Sequence, residues 1–503
     1  PLLARYAPGD ILLLVPQLRA STRRLGRILG LACAAAHGLD PHALLQTTST
    51  VRALQPNAQQ HDVCVLAALH GHDVTFLDAS AAPVRTFGCA DALDLVARNT
   101  CYTSPFTGQP ISCRELLSVL VLWKQVVHSN HQIGACMGMA LWKRAQISMF
   151  LATPSSSPAF FYSVPHAVRH CLRQRRKNMA IWATRMPPEA EARIRQAGLS
   201  LLRVEDGFIR SLGLGSALNL PFSIFLDSRG IYYDPATESD LEHILATYRF
   251  DAPIRERADR LVARLHASGI SKYDRGRQLT CHEHTPPTTR PRSKKLVILV
   301  PGQVADDLSV LRGGGKIRDN LSLLHAVRAA NPDAHIIYRP HPDVDGGYRK
   351  GAIPDTVVLT LADEINRGDA ITTLLARVDE VHTLTSLAGF EALIRNIPVT
   401  TYGAPFYAGW GLTQDKGTIP ARRGRQLALN ELIAGALLLY PRYLDPVTRL
   451  PCPVETVLDS FDKPALWKPT VWTYLRQIQI RFFQMLRQGR AMATHLFHRV
   501  QNP

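Results

Sequence analysis

The chain has 503 residues, 46% hydrophobic and 20% charged, which fits folded domains with large cores and excludes a disordered chain. It is too long for one compact domain, so two or three are expected. A formal net charge of +17 points to anionic partners: nucleic acid, acidic lipid, or phosphorylated and carboxylated substrates.

Nine scattered cysteines, with no C-x-x-C pair, fit a reducing compartment with mostly buried thiols. No ligand spacing of the usual zinc kind occurs. The first residue is Pro1, so no targeting leader is legible. No apolar run reaches the roughly 20 residues that cross a bilayer. The longest, 116–123 and 432–440, read as buried core elements.

In chain order, residues 1–128 are Ala-rich with a patchy βα pattern. Across 129–275, strands at 133–137, 179–184 and 199–205 alternate with helices at 142–151 and 190–197. Between them, Arg169, Arg173, Arg175, Arg176 and Lys177 read as a solvated helix end. A polar, basic, Pro-containing stretch at 273–295 has no hydrophobic period, and 276–295 reads as a linker. Over 296–465 the alternation resumes, with strands at 296–303, 334–338 and 378–384. Two βαβ halves joined by a linker predict an α/β protein with two Rossmann-like lobes facing a cleft. The tail, 466–503, has no Asp or Glu. Its Val471, Leu475, Ile478, Phe482 and Leu486 follow helical spacing, behind Trp467 and Trp472. That describes a basic amphipathic helix at an anionic membrane surface, with a helix packed back on the protein as the alternative.

A partial repeat is present. Residues 83–88 (PVRTFG) resemble 398–403 (PVTTYG), and 102–110 (YTSPFTGQP) resemble 443–451 (YLDPVTRLP). Either the first copy is the remnant of a duplicated module that lost its intervening loop, or turn-rich text matches by chance.

The strand at 334–338 ends in Arg339-Pro340-His341-Pro342, and the strand at 378–384 runs into Thr385-Ser386 and a helix start. A helix N-terminus beside Arg and His is an anion site. At strand ends of a parallel sheet it lies where such folds bind ligands, so a nucleotide phosphate is expected. His341 is either a satisfied strand-end histidine or, as imidazolium, a partner for a phosphate, to which Arg339 would add charge-assisted bonds. Glu391 either meets ribose hydroxyls or is a solvated helix residue.

Glu205 ends an apolar strand and precedes Asp206-Gly207. Either it faces a cleft, or Asp206 starts a turn and Glu205 is solvated. Asp306 and Asp307 follow 296–304 in a similar setting. Adjacent extended residues point opposite ways, so at most one faces the cleft; a helix cap or turn Asp is the other reading. The run 405–411 (PFYAGWG) mixes aromatics with two glycines and reads as a shaped loop over a ligand rather than core.

These segments resemble a known family. Residues 204–216 (VEDGFIRSLGLGS), 227–235 (DSRGIYYDP), 271–273 (SKY), 300–309 (VPGQVADDLS), the Arg-Pro-His-Pro-Asp segment, 384–391 and 405–413 are similar, in order, to the KpsC-type capsule polysaccharide Kdo transferases. The similarity runs from about 133 to 460, with Arg339 where Lys is common and Asp274 where Asn is usual. It implies a GT-B fold and a retaining β-Kdo glycosyltransferase using CMP-Kdo. It also implies a phospholipid-linked glycan acceptor at the cytoplasmic face of a Gram-negative inner membrane, with other capsule assembly proteins as possible partners. Family members often carry two modules in tandem. Here the resemblance implies one complete module, with acceptor lobe 129–275 and donor lobe 296–465, after a non-catalytic remnant in 1–128.

On that resemblance Glu205 activates the acceptor hydroxyl and Asp307, selected over Asp306, is the nucleophile of a double displacement. His341 completes the catalytic set. Gln303, Arg339, His341, Thr385, Ser386 and Glu391 hold the donor. No cofactor or metal is expected, because a CMP-sugar carries one phosphate. The competing readings are an inactive structural module of a capsule assembly complex, or a nucleic-acid-binding protein, for which no recognition motif is present.

Overall fold

The computed structural model describes residues 12–15, 19–29, 31–35, 40–53, 62–78, 80, 82–210, 220–268, 295–347 and 349–463. The expected linker, apart from Lys295, the expected amphipathic tail, and segments 211–216 and 271–273 lie outside them. Two compact units divide between Ser118 and Val119.

In the first unit, β1 (Leu12–Val15) pairs in parallel with β2 (Ala32–Ala35). β3 (Val51–Ala53) lies parallel to β4 (Val74–Leu77), and β5 (Pro83–Phe87) antiparallel to β4. Leu45, Ala67, Ala68, Val74, Phe76 and Phe87 form its core. β6 (Tyr102–Thr103) and β7 (Pro110–Ile111) form a hairpin.

In the second unit, the first sheet contains β8 (Ile133–Met137), β9 (Ala159–Phe161), β10 (Asn178–Trp182), β11 (Ser200–Asp206) and β12 (Ser223–Asp227). The second contains β13 (Val297–Pro301), β14 (His335–Arg339), β15 (Glu364–Ile365), β16 (Glu380–Thr383), β17 (Val399–Thr401) and β18 (Gln414–Asp415). β19 (Arg442–Leu444) and β20 (Pro451–Cys452) then return to the first sheet, whose order is β20-β19-β12-β11-β10-β8-β9. Its β8 to β11 are parallel, and β12, β19 and β20 antiparallel. The segment that the sequence groups as one lobe, 296–465, is thus divided between the two sheets.

The second sheet is wholly parallel, in the order β15-β14-β13-β16-β17-β18. All five residues of β8 and of β13 are buried. Strands covered on both faces lack polar alternation, which is why these read as unbroken apolar runs. The chain advances from β13 toward β14 on one side and toward β16 on the other, so the order switches between β13 and β16. Crevices at such switch points, outside the strands' C-terminal ends, are where open α/β sheets bind ligands.

Several expectations change. The run 116–123 lies in the helix Cys113–Asn130 but is no core element: Leu117, Leu120 and Val121 are exposed. The run 432–440, by contrast, is largely buried. Of the eight described cysteines, all free, four are buried. The repeat holds only at its hairpin. Ser104 N–H donates to the Gln109 carbonyl at 2.8 Å as Asp445 N–H does to Leu450 at 3.0 Å, and Gly108 and Arg449 both take positive φ. β5 runs antiparallel to β4, whereas β17 has parallel neighbours; the strand set like β17, after a helix and parallel to its neighbour, is β4.

Candidate active site

The C-terminal ends of β13, β14 and β16 carry the expected donor residues. Gln303 Nε2 donates to the Thr385 hydroxyl at 3.0 Å, and the Thr385 N–H donates to Gln303 Oε1 at 2.9 Å. Gln303 is itself fixed from below, its N–H donating to Asn320 Oδ1 at 2.8 Å. Ser386 caps the helix Leu387–Ile394 by accepting from the Ala388 N–H. That helix packs closely on Tyr407, whose hydroxyl donates to the Ser386 carbonyl at 2.5 Å; a Cβ at Gly389 would collide with the Tyr407 ring.

Arg339 donates from Nη2 to the Asp369 carbonyl at 3.1 Å, and its Nε is buried with no hydrogen-bond partner among the described residues. Burial lowers its pKa, against Glu391 and Asp369. Glu391 is not a solvated helix residue: it is buried, with its charge felt by both Arg339 and Arg395.

His341 accepts the Asp343 N–H on Nδ1 at 3.1 Å, capping the turn Pro342–Asp345. An accepting Nδ1 carries no proton, so the ring is neutral and its proton sits on Nε2. Burial lowers its pKa, opposed by the carboxylates of Asp343 and Asp307. The imidazolium expected from sequence is therefore replaced by a neutral Nε2–H donor.

Asp307 does cap a helix, Leu308–Gly313, with Oδ1 accepting the Ser309 N–H at 2.9 Å and its hydroxyl at 2.8 Å. Its Oδ2 has no partner among the described residues. Asp306 instead pairs with Arg349 at the surface. Cap geometry therefore orients one oxygen of Asp307 and leaves the other available.

Glu205, next to last in β11, is half-buried, its Oε1 accepting the Asp206 N–H at 3.1 Å. Asp206 starts no turn. It points the other way and accepts from Lys143 Nζ at 3.1 Å on both oxygens and from Arg210 Nε at 2.8 Å. Burial raises its pKa, but Arg210 and Lys143 outweigh that and hold it well below the ordinary range. Lys143 Nζ also lies 3.8 Å from the Trp182 ring centroid, and burial lowers its pKa against Asp206.

The two halves of the second unit meet at this place. Arg312, on the helix that Asp307 caps, pairs with Asp234. Beside Asp234, burial pushes the Tyr233 phenol up, and the charges of Glu205 and Asp307 push it further, against Arg312. Phe208 stacks on Phe406 at 4.4 Å and 17°. The run 405–411 is a loop, but Phe406, Tyr407 and Trp410 point inward, Trp410 with no exposed surface. Its Pro405 and Ala408 carbonyls accept from Arg423, which pairs with Glu242 at 3.0 Å. It is core joining the halves, not an aromatic lid.

Sequence reasoning missed Lys143, Asp206, Arg210, Tyr233 and Arg312. Strand alternation held a signal for one: if Glu205 faces the site, Asp206 must face away from it and needs a partner. Groups of three His, Cys, Asp or Glu able to hold a metal are absent among the described residues. No described helix is long and apolar enough to cross a membrane.

The family model for capsule polysaccharide biosynthesis proteins matches residues 178–443, more than half of the chain. The capsule polysaccharide modification protein LipA of Neisseria meningitidis serogroup A is 42% identical over 356 residues, 71% of this chain and 49% of LipA. The lipopolysaccharide-processing protein LpsZ of Rhizobium meliloti is 43% identical over 250 residues, 49% of this chain and 55% of LpsZ. The chain thus spans about half the length of the curated relatives it matches. Among solved structures, the Thermosulfurimonas dismutans KpsC β-Kdo 2,7 transferase is 35% identical with a TM-score of 0.54, covering 66% of this chain and 99% of that one. The β-Kdo 2,4 transferase of the same organism is 29% identical, also with a TM-score of 0.54, covering 66% of this chain and 98% of that one. The chain belongs to the capsule polysaccharide biosynthesis protein family, as a KpsC-type member.

Proposed function

We propose that the chain is a retaining β-Kdo glycosyltransferase that moves Kdo from CMP-Kdo to a phospholipid-linked, Kdo-bearing acceptor. In this reading its two halves are the lobes of a GT-B fold, working at the inner face of the inner membrane. One observation carries it: Arg312, on the helix that Asp307 caps, pairs with Asp234 beside Tyr233 of the other half, so that Asp307 and Glu205 bring one carboxylate from each half near strand ends suited to a phosphate. The likeness to two β-Kdo transferases supports the same sugar, and the higher identity to the 2,7 enzyme, 35% against 29% for the 2,4 enzyme, favours a 2,7 linkage.

The donor phosphate lies against the Leu387–Ile394 helix end, with Thr385, Ser386 and Arg339 as donors and Glu391 toward the ribose. Asp307 Oδ2 attacks the anomeric carbon while its bond to phosphate oxygen breaks. CMP leaves with the electron pair, and His341 Nε2–H donates to the departing phosphate. Glu205 then takes the acceptor hydroxyl proton. The acceptor oxygen displaces Asp307 from the same carbon, restoring its carboxylate and giving net retention. No metal is called for, since one phosphate meets a helix end, an Arg and a His.

The test is incubation with CMP-Kdo and a lipid-like acceptor ending in Kdo, the product linkage being read by NMR. A β-2,7-linked Kdo is expected. Intact CMP-Kdo and unmodified acceptor after prolonged incubation would sink the reading.

A further inference from the structure

Between Glu115 and Glu189 the chain carries nine Lys and Arg and no Asp or Glu, so this stretch supplies more than half of the +17. At the chain's average frequency about six acids would fall there. Among the described residues Lys143 alone of the nine pairs with a carboxylate, Asp206. Among the described residues Lys124, Arg144, Arg169, Arg173, Arg175, Arg176, Lys177 and Arg185 have no acidic partner, whereas Arg203, Arg210, Arg312, Arg328, Arg422 and Arg423 elsewhere in the chain do.

The helix Val164–Arg173 shows how the fold uses this. Val164, Ala167 and Cys171 are buried against the sheet. His166, Arg169, Leu172 and Arg173 recur at helical spacing on the exposed side, following Tyr162. Tyr162 is 80% exposed and Leu172 53%. The Arg144 guanidinium covers the Tyr162 ring at 4.5 Å. Leu141, one turn before Arg144, is 66% exposed. β9, which leads into this helix, is the outer strand of its sheet.

We propose that this outer edge of the first sheet, around Arg144, Tyr162, Arg169, Leu172 and Arg173, docks on an anionic lipid bilayer. Unopposed cations attract acidic headgroups, and an aromatic and leucines among them enter the interface. A nucleic acid or anionic glycan would engage the arginines but gain nothing from exposed Leu141 and Leu172. The surface does not depend on the transferase reading, because vesicle binding is measured without donor or acceptor.

The full chain is co-sedimented with vesicles of phosphatidylglycerol and phosphatidylcholine, and with phosphatidylcholine alone, at 0.1 M salt. Arg169→Glu with Arg173→Glu should lower partition onto the anionic vesicles at least tenfold. Arg255→Glu with Arg260→Glu, exposed positions on the helix Ala252–Ser268, makes the same change in net charge and should lower it less than threefold. Tyr162→Ser with Leu172→Ser should lower it several-fold with charge unchanged. Melting curves check that each variant is folded. Equal loss in both charge-reversed proteins, or unchanged partition of the Arg169/Arg173 variant, overturns the proposal. So does a variant that loses only heparin binding, which would assign the face to a glycan.

Discussion

Gln303 and Thr385 hold each other by two hydrogen bonds, at 3.0 and 2.9 Å, across the point where the second sheet changes direction. The pair ties the end of β13 to the turn that opens the Leu387–Ile394 helix, and so aims that helix end at the crevice. Gln303→Ala leaves the Thr385 N–H without its acceptor, at a cost of about 1–3 kcal/mol. Melting temperature and CMP affinity by calorimetry should both fall, the latter about tenfold. A lower melting temperature with unchanged CMP affinity would reduce the pair to a structural brace.

His341 has two separable jobs. Its Nδ1 caps a turn, and its Nε2–H is assigned to the leaving phosphate. His341→Asn supplies another capping oxygen, so stability should stay close to the parent while transfer and CMP affinity fall. His341→Ala should lose about 1 kcal/mol of stability as well. Burial depresses the pKa of this ring, so its neutral form is complete above the ordinary histidine value of about 6.5. As pH falls through the depressed folded value, protonation removes the cap and its stability contribution. A rate that rises on acidification through that range would contradict the neutral-donor assignment.

The Lys143–Asp206–Arg210 cluster anchors the end of β11 that carries Glu205. Lys143→Met leaves the half-buried Asp206 with Arg210 as its remaining cation, and should cost about 1–3 kcal/mol. Asp206 has a depressed folded pKa, so its contribution is complete above about pH 4 and is lost as pH falls below that, through the folded value. Urea unfolding of parent and variant between pH 3 and pH 7 checks this. The gap between them should narrow on acidification, and a gap independent of pH would contradict it.

Much of the second unit was legible because buried parallel strands write themselves as apolar runs. Strands expected at 133–137, 199–205 and 296–303 are observed at Ile133–Met137, Ser200–Asp206 and Val297–Pro301. Arg339 and His341 follow the apolar run at 334–338 and Thr385 the run at 378–384, so they fall at the sheet's C-terminal edge without further reasoning, whereas the donor role of Gln303 rests on the family resemblance alone. What stayed hidden depends on distant partners. Arg442–Leu444 pairs with β12 from more than 200 residues away, and no local period records that. Lys143 meets Asp206 across 63 positions for the same reason. The 405–411 run misled because its glycines signal a loop, while the burial of its aromatics depends on Phe208 in the other half.

The central claim is that Asp307 is the nucleophile and Glu205 activates the acceptor. Glu205→Gln should still allow the first displacement but stall the second. With CMP-Kdo the variant should then gain the mass of one Kdo residue, and peptide mapping should place it on Asp307. Asp307→Asn should bind CMP nearly as the parent does and gain no mass. Intact-protein mass spectrometry of Glu205→Gln with CMP-Kdo is the decisive measurement. One Kdo on Asp307 is the predicted result; an adduct on a different carboxylate, or near-normal turnover by Asp307→Ala, would contradict it.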